Sequence, residues 1–209
     1  IAESIAHSSE ISMGDAYEKA PEILEMVGLD WRRSMDLYPH ELSGGMAQRV
    51  MIAMALAVKP KLLIADEPTS ALDVTIQAQI LQLLDELVRV GRNAVILITH
   101  DLGIASEFCD RITVMYAGNA IEISSSEEIF EEPLHPYTKG LIDSIPIIGA
   151  SKVLSGIPGS VPDLIAPPPG CRFHPRCDFC FDKCRVELPD LKEVKPGHFV
   201  ACHLYSDSF

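Results

Sequence analysis

One stretch constrains this chain more than any other. Residues 62–65 form the apolar run Leu62-Leu63-Ile64-Ala65, which ends abruptly in two acids, Asp66 and Glu67. A buried parallel strand ends this way, with carboxylates emerging at its C-terminal edge. Residues 75–90 then place Ile76, Ile80, Leu83, Leu84 and Leu87 on one helical face, and Gly91 follows. Residues 94–99 are a second short apolar strand, followed by His100 and Asp101. Strand, helix and strand in that order predict parallel pairing through a crossover helix, hence an α/β layer.

The flanking pattern fits that layer. Ala16, Ala20, Ile23, Leu24 and Val27 recur at helical spacing over residues 15–27, with Gly28 as the stop, and residues 30–41 read as a loop. Ser43 can cap a helix over 44–58, and Asp101 can cap the helix after His100. Residues 111–116 and 120–123 read as a hairpin about Ala117-Gly118-Asn119. The acidic run Glu127, Glu128, Glu131 and Glu132 reads as a solvated helix face. The longest apolar run, residues 50–58, has nine residues, too few to span a bilayer. No secretory pattern opens the chain, and the absence of an initiator Met leads us to expect a fragment.

Charge and cysteine content divide the chain. Residues 1–150 hold 10 basic and 23 acidic residues, whereas residues 151–209 hold seven of each. A net charge of −13 argues against a phosphate-backbone binder, which needs clustered Lys and Arg. The last 59 residues also carry five of the six Cys and eight of the 15 Pro. Two domains are therefore expected, 1–148 and a small, Cys-rich, loop-rich unit at 149–209. Six Cys in 209 residues are too sparse for a disulfide scaffold, so a metal site or free thiols are the expected readings.

Three motifs carry chemistry. Ser43, Gly44 and Gly45 open a helix, whose free N–H groups and positive dipole end make an anion site that glycines let a phosphate approach. By itself such a triplet is more often a cap and a turn. Asp66 and Glu67 can offer one carboxylate to Mg²⁺ and the next to a water molecule; alone, a surface strand end explains them as well. His100 lies at the edge where open α/β sheets place ligands, although a lone His is more often structural.

Together these residues resemble the nucleotide-binding subunit of ABC transporters, with the motifs in family order. Residues 42–49 look like the family signature, 62–67 like its Walker B strand, Ser70 to Asp73 like its D-loop and His100 like its switch histidine. The resemblance implies a partial P-loop nucleotide-binding domain, a helical subdomain plus a parallel-sheet core, acting on ATP with Mg²⁺. It implies that Asp66 helps hold Mg²⁺, that Glu67 polarises the attacking water and that His100 contacts the γ-phosphate. Ser43, Gly44 and Gly45 would bind ATP held by the opposite subunit, and Asp73 belongs to the same nucleotide-binding set. Tyr38 to Met46, His135-Pro136-Tyr137-Thr138 and the Cys171 to Cys177 stretch narrow the resemblance to the oligopeptide/dipeptide importer branch. Ala47 and Ser124 depart from that branch, which often has Arg and Gly there.

No G-x-x-x-x-G-K-[ST] occurs, so the phosphate cradle is missing and these residues alone are expected to be inactive. The implied assembly is two ATP-binding subunits docked on two transmembrane permease subunits at the cytoplasmic face of the membrane, fed by a solute-binding protein, with no nucleic-acid partner. A nickel or other small-solute importer is the rival within the branch. A DNA- or ribosome-associated ABC-type ATPase and a non-catalytic metal-binding module are the rivals outside it. In the tail, Cys171, Cys177, Cys180 and Cys184 fall at C-x5-C-x2-C-x3-C, with Cys202 following. Only Cys177 and Cys180 make the paired spacing usual for zinc, and His174, His198 and His203 are further candidate ligands. The branch resemblance implies a four-Cys site at Cys171, Cys177, Cys184 and Cys202, a [4Fe–4S] cluster ahead of Zn²⁺. Cys180 is then spare, and Cys109 is expected to be buried and unligated.

Overall fold

The computed structural model describes residues 1–70, 72–91, 93–145 and 156–206. It divides into two compact units, Ile1–His100 and Asp101–Phe209. The compositional boundary at 148/149 lies outside the described residues.

In the first unit, helices α1 (Ala2–Ser9) and α2 (Met13–Met26) pack through small residues. Ile5, Ala16, Ala20 and Ala57 form their core. Ser12 caps α2, accepting the Asp15 N–H at 3.2 Å. The segment expected to be a loop contains a short helix, α3 (Trp31–Ser34), and a 3₁₀ turn at Pro39–Glu41. Local capping makes both: Asp30 accepts the Arg32 N–H at 3.1 Å, and Glu41 accepts the Tyr38 N–H at 2.7 Å. Neither is long enough to show a periodicity. Helix α4 (Gly44–Leu56) ends two residues before the expected 58, and Lys59 follows with φ 49°. Strand β1 (Leu62–Asp66), helix α5 (Val74–Gly91) and strand β2 (Ala94–Ile98) form the expected crossover, with the strands parallel and Asp66 opposite Ile98. Leu63 and Ala65 are buried, whereas Leu62, Ile64, Ile96 and Ile98 on the other face are exposed.

The second unit begins with α6 (Leu102–Phe108), which Asp101 caps through the Gly103 and Ile104 N–H groups. Strands β3 (Arg111–Tyr116) and β4 (Asn119–Ser125) form the expected hairpin. Ala117 and Gly118 both have positive φ in its two-residue turn, as a turn matched to strand twist requires. Helices α7 (Ser126–Glu131), α8 (Pro136–Asp143) and α9 (Asp182–Val186) precede strands β5 (Lys192–Lys195) and β6 (His198–Val200). Those two strands were not legible in the tail's Pro-rich composition. They complete an antiparallel sheet of order β3-β4-β6-β5, so residues on both sides of the compositional boundary share one sheet. Ile112, Val114, Tyr116, Ile121, Ile129 and Phe173 are buried together, with Tyr116 packed edge-on to Tyr137 and Phe173 at 4.6 and 5.1 Å between centroids. Among the described residues no helix is long and apolar enough to cross a membrane.

Candidate functional site

The parallel ladder continues one residue past β1, because the Glu67 N–H donates to the Ile98 carbonyl at 2.9 Å. Glu67 then takes φ 44°, the left-handed region that non-glycine residues rarely occupy and that clusters at functional positions. The chain turns there, and the Ser70 N–H donates back to the Glu67 carbonyl at 3.1 Å. The Glu67 side chain is held at both oxygens: Oε2 accepts from Ser70 Oγ at 2.6 Å, and Oε1 lies 3.0 Å from His100 Nδ1. The Ser70 hydroxyl first, then His100, holds the Glu67 carboxyl below the usual carboxylate range, so it stays ionised. The structure thus brings Glu67 and His100 together from the ends of adjacent strands. Asp66 closes β1 as an exposed residue whose carboxylate has no protein partner among the described residues. A free, exposed carboxylate fits a hydrated Mg²⁺ ion, which keeps most of its waters and takes one or two protein oxygens.

The signature residues lie at the start of α4. Ser43 caps the helix, its Oγ accepting the Met46 N–H at 3.3 Å. A Cβ on Gly45 would stand 2.8 Å from Ile76 Cγ2, and one on Gly44 would stand 3.5 Å from Leu72 Cδ2. Gly45 is therefore required by the close approach of α4 to α5, a packing reason additional to any ligand. Asp73 is committed to the backbone: its Oδ1 accepts the Thr75 and Ile76 N–H groups at 3.1 and 3.0 Å, capping α5. Arg49 ties the helices together, donating to the Val27 carbonyl at 2.6 Å and to Gln79 Oε1 at 2.9 Å.

In the second unit, Cys171, Cys177, Cys184 and Cys202 line one small apolar cavity with His135, Phe173, His174 and His203. Cys180 is not on its wall, and its thiol faces the Phe181 carbonyl at 3.8 Å. All six cysteines are free thiols. Burial pushes the Cys171 and Cys177 thiols up and carries Cys202 to about 11. Among the described residues no three His, Cys, Asp or Glu side chains form a group that could hold a metal ion. The four cysteines expected to share a site, Cys171, Cys177, Cys184 and Cys202, nonetheless converge on one cavity. Cys109, expected to be buried, is only half-buried.

Sequence reasoning missed a buried polar network in this unit. Glu122 is fully buried and accepts the Leu134 and His135 N–H groups at 2.6 and 2.9 Å, with His198 Nε2 at 2.8 Å. His198 Nδ1 lies 3.7 Å from Glu128 Oε2. Glu122 lies five residues before the run read as a solvated face, and a Glu between apolar residues Ile121 and Ile123 on a strand was the available signal. His135 caps α8 through Nδ1, which accepts the Tyr137 N–H at 3.0 Å, and burial lowers its pKa to about 4.

The ABC transporter family model matches residues 3–70, and the model for the oligopeptide/dipeptide transporter C-terminal region matches residues 121–184. The oligopeptide transport ATP-binding protein AppD of Bacillus subtilis is 50% identical over 99% of this chain, which spans 64% of that protein. The dipeptide transport ATP-binding protein DppD of Caldanaerobacter subterraneus is 48% identical over 97% of this chain, which spans 62% of it. Among solved structures, cbiO1 of Clostridium perfringens, part of the ABC transporter complex cbiONQ, superposes with a TM-score of 0.52 and 33% identity. That match covers 58% of this chain and 48% of that one. The strand-end acids, the histidine beside them and a tail matching the oligopeptide/dipeptide C-terminal region agree with these matches, and the chain belongs to the family of ABC transporter ATP-binding proteins, in its oligopeptide/dipeptide group.

Proposed function

We propose that this chain supplies the hydrolytic half of an ATP site that energises import of oligopeptides or dipeptides. The observation that carries the reading is the contact between Glu67 and His100 at the ends of adjacent parallel strands, beside the free carboxylate of Asp66. An ionised, half-exposed carboxylate is a competent acceptor for a proton from water. His100, fixed by Glu67 on one ring nitrogen, can present the other to a phosphate oxygen. Mg²⁺, when bound, would be held by Asp66 and would neutralise phosphate charge. The start of α4, Ser43 to Gly45, offers its N–H groups to a nucleotide held by a second ATP-binding subunit. Asp73 serves that site indirectly, by fixing the start of α5. The phosphate cradle that such a site needs is not among these 209 residues.

Residues 1–148 carry this chemistry in our reading, and 149–209 form an importer-specific tail. The relatives AppD and DppD, oligopeptide and dipeptide transport proteins, favour peptides over nickel or another small solute. The match of residues 121–184 to a transporter C-terminal region argues against a DNA- or ribosome-associated ATPase. The assembly would include two permease subunits at the cytoplasmic face of the membrane and a solute-binding protein. Convergence of four thiols on one cavity supports a further reading, in which the tail takes up an iron–sulfur cluster or Zn²⁺ once its thiols ionise. Metal analysis after anaerobic purification tests it, and a metal-free, folded tail would exclude it. For the main reading, Glu67→Gln in the full-length protein should lower turnover by roughly 10²–10⁴-fold while ATP still binds. Turnover near that of the unaltered protein would remove Glu67 from the mechanism.

A further inference from the structure

Among the strand-end groups, Ser70 has no role in what has been proposed so far. Its side chain is exposed, yet its hydroxyl makes a 2.6 Å bond to Glu67 Oε2. Water could satisfy both groups at no ordering cost, so stability does not explain a fixed bond here. Position does. The turn that carries Ser70 is anchored on both sides: Pro68 and Thr69 are buried, the Ser70 N–H bonds the Glu67 carbonyl, and the Leu72 N–H bonds the Thr69 carbonyl at 3.3 Å. The left-handed backbone of Glu67 turns its carboxylate back toward this anchored turn.

We propose that Ser70 is a positioning residue that, together with His100, clamps the carboxylate of Glu67 at two points and fixes the plane in which it meets the attacking water. This rests on the assignment of Glu67 as the base. Each carboxylate oxygen has two acceptor sites, and the clamp uses one on each, leaving the others for water. A carboxylate held only by His100 can swing about that single contact and lose the geometry of attack.

Ser70→Ala in the full-length protein within its transporter should lower kcat by roughly tenfold with KM for ATP unchanged. Ser70→Thr, which keeps a hydroxyl at the same place, should restore most of it. In the chain itself, the ¹³C carboxyl resonance of Glu67 should move in Ser70→Ala and stay in place in Ser70→Thr. Unaltered kcat, a rise in KM alone, or an unmoved resonance in Ser70→Ala would overturn the inference. Normal turnover in Glu67→Gln would remove the base assignment and the inference with it. Normal turnover in Ser70→Ala, with Glu67→Gln inactive, would remove the inference alone.

Discussion

Each unit pairs a glutamate with a histidine, and the two pairs work in opposite ways. Glu67 and His100 meet at 3.0 Å with both side chains largely open to water. Glu122 and His198 meet at 2.8 Å with almost no exposure. In water such a pair adds little to stability and its members remain free to exchange partners. Out of water the same pair must be completed by further hydrogen bonds, and Glu122 has them from two backbone amides. The exposed pair therefore suits chemistry and the buried pair suits architecture, although sequence marks only the first.

The largest test of this contrast removes each glutamate in turn. Glu122→Ala leaves His198 and two buried amides without an acceptor, and should destabilise the second unit by about 3–5 kcal/mol. Hydrogen exchange should show protection lost over β4, β6 and the start of α8. The single tryptophan, Trp31, lies in the first unit, so its fluorescence transition should stay where it was. Glu67→Ala should leave both transitions unmoved. Equal effects of the two substitutions would break the contrast.

Acid should act next, and again on the second unit. Burial lowers the His135 pKa from 6.5 to about 4. Its folded value is depressed, so the unfolded chain takes up the proton first as pH falls. Stability from this group is full above about pH 6.5, declines toward pH 4 and is level below, a loss of about 3 kcal/mol. His135→Asn keeps a capping acceptor and should flatten that decline in acid-denaturation curves.

Packing in the first unit should give smaller effects. Gly45→Ala forces a Cβ against Ile76 and should cost about 1–3 kcal/mol in the Trp31 transition. Combined with Ile76→Ala it should cost less than the two single losses added together. Asp73→Ala should cost about 1 kcal/mol through the lost cap of α5, and Asp73→Asn much less. Circular dichroism melts of the helical signal would measure both.

The parallel crossover, the hairpin and the acids at the end of β1 were legible because period, length and abrupt change of polarity act within a few residues. The proximity of Glu67 and His100 follows from the parallel pairing that the strand, helix and strand order predicts. Ser70 was only one letter of a motif, since nothing in a sequence says which oxygen a hydroxyl faces. The role of Gly45 against Ile76 was hidden for the same reason: it depends on how closely two helices approach. The tail was the least legible part. Its strands β5 and β6 are four and three residues long, too short for a period to appear. The strand that β6 joins, β4, lies more than 70 residues earlier, and Glu122 is explained only by residues from two distant places, Leu134-His135 and His198.

The pairing of β4 with β6 has a consequence during synthesis. Glu122 leaves the ribosome 76 residues before His198. At ordinary elongation rates of about 5–20 residues per second, the nascent chain waits roughly 4–15 s for the histidine that completes its interior. Throughout that interval the hairpin has a carboxylate it cannot bury and an edge it cannot close. A product terminated anywhere in the last dozen residues before His198 would stay in that state for good. Such a truncated chain would offer chaperones and proteases an open sheet edge and an unpaired carboxylate in place of a closed interior.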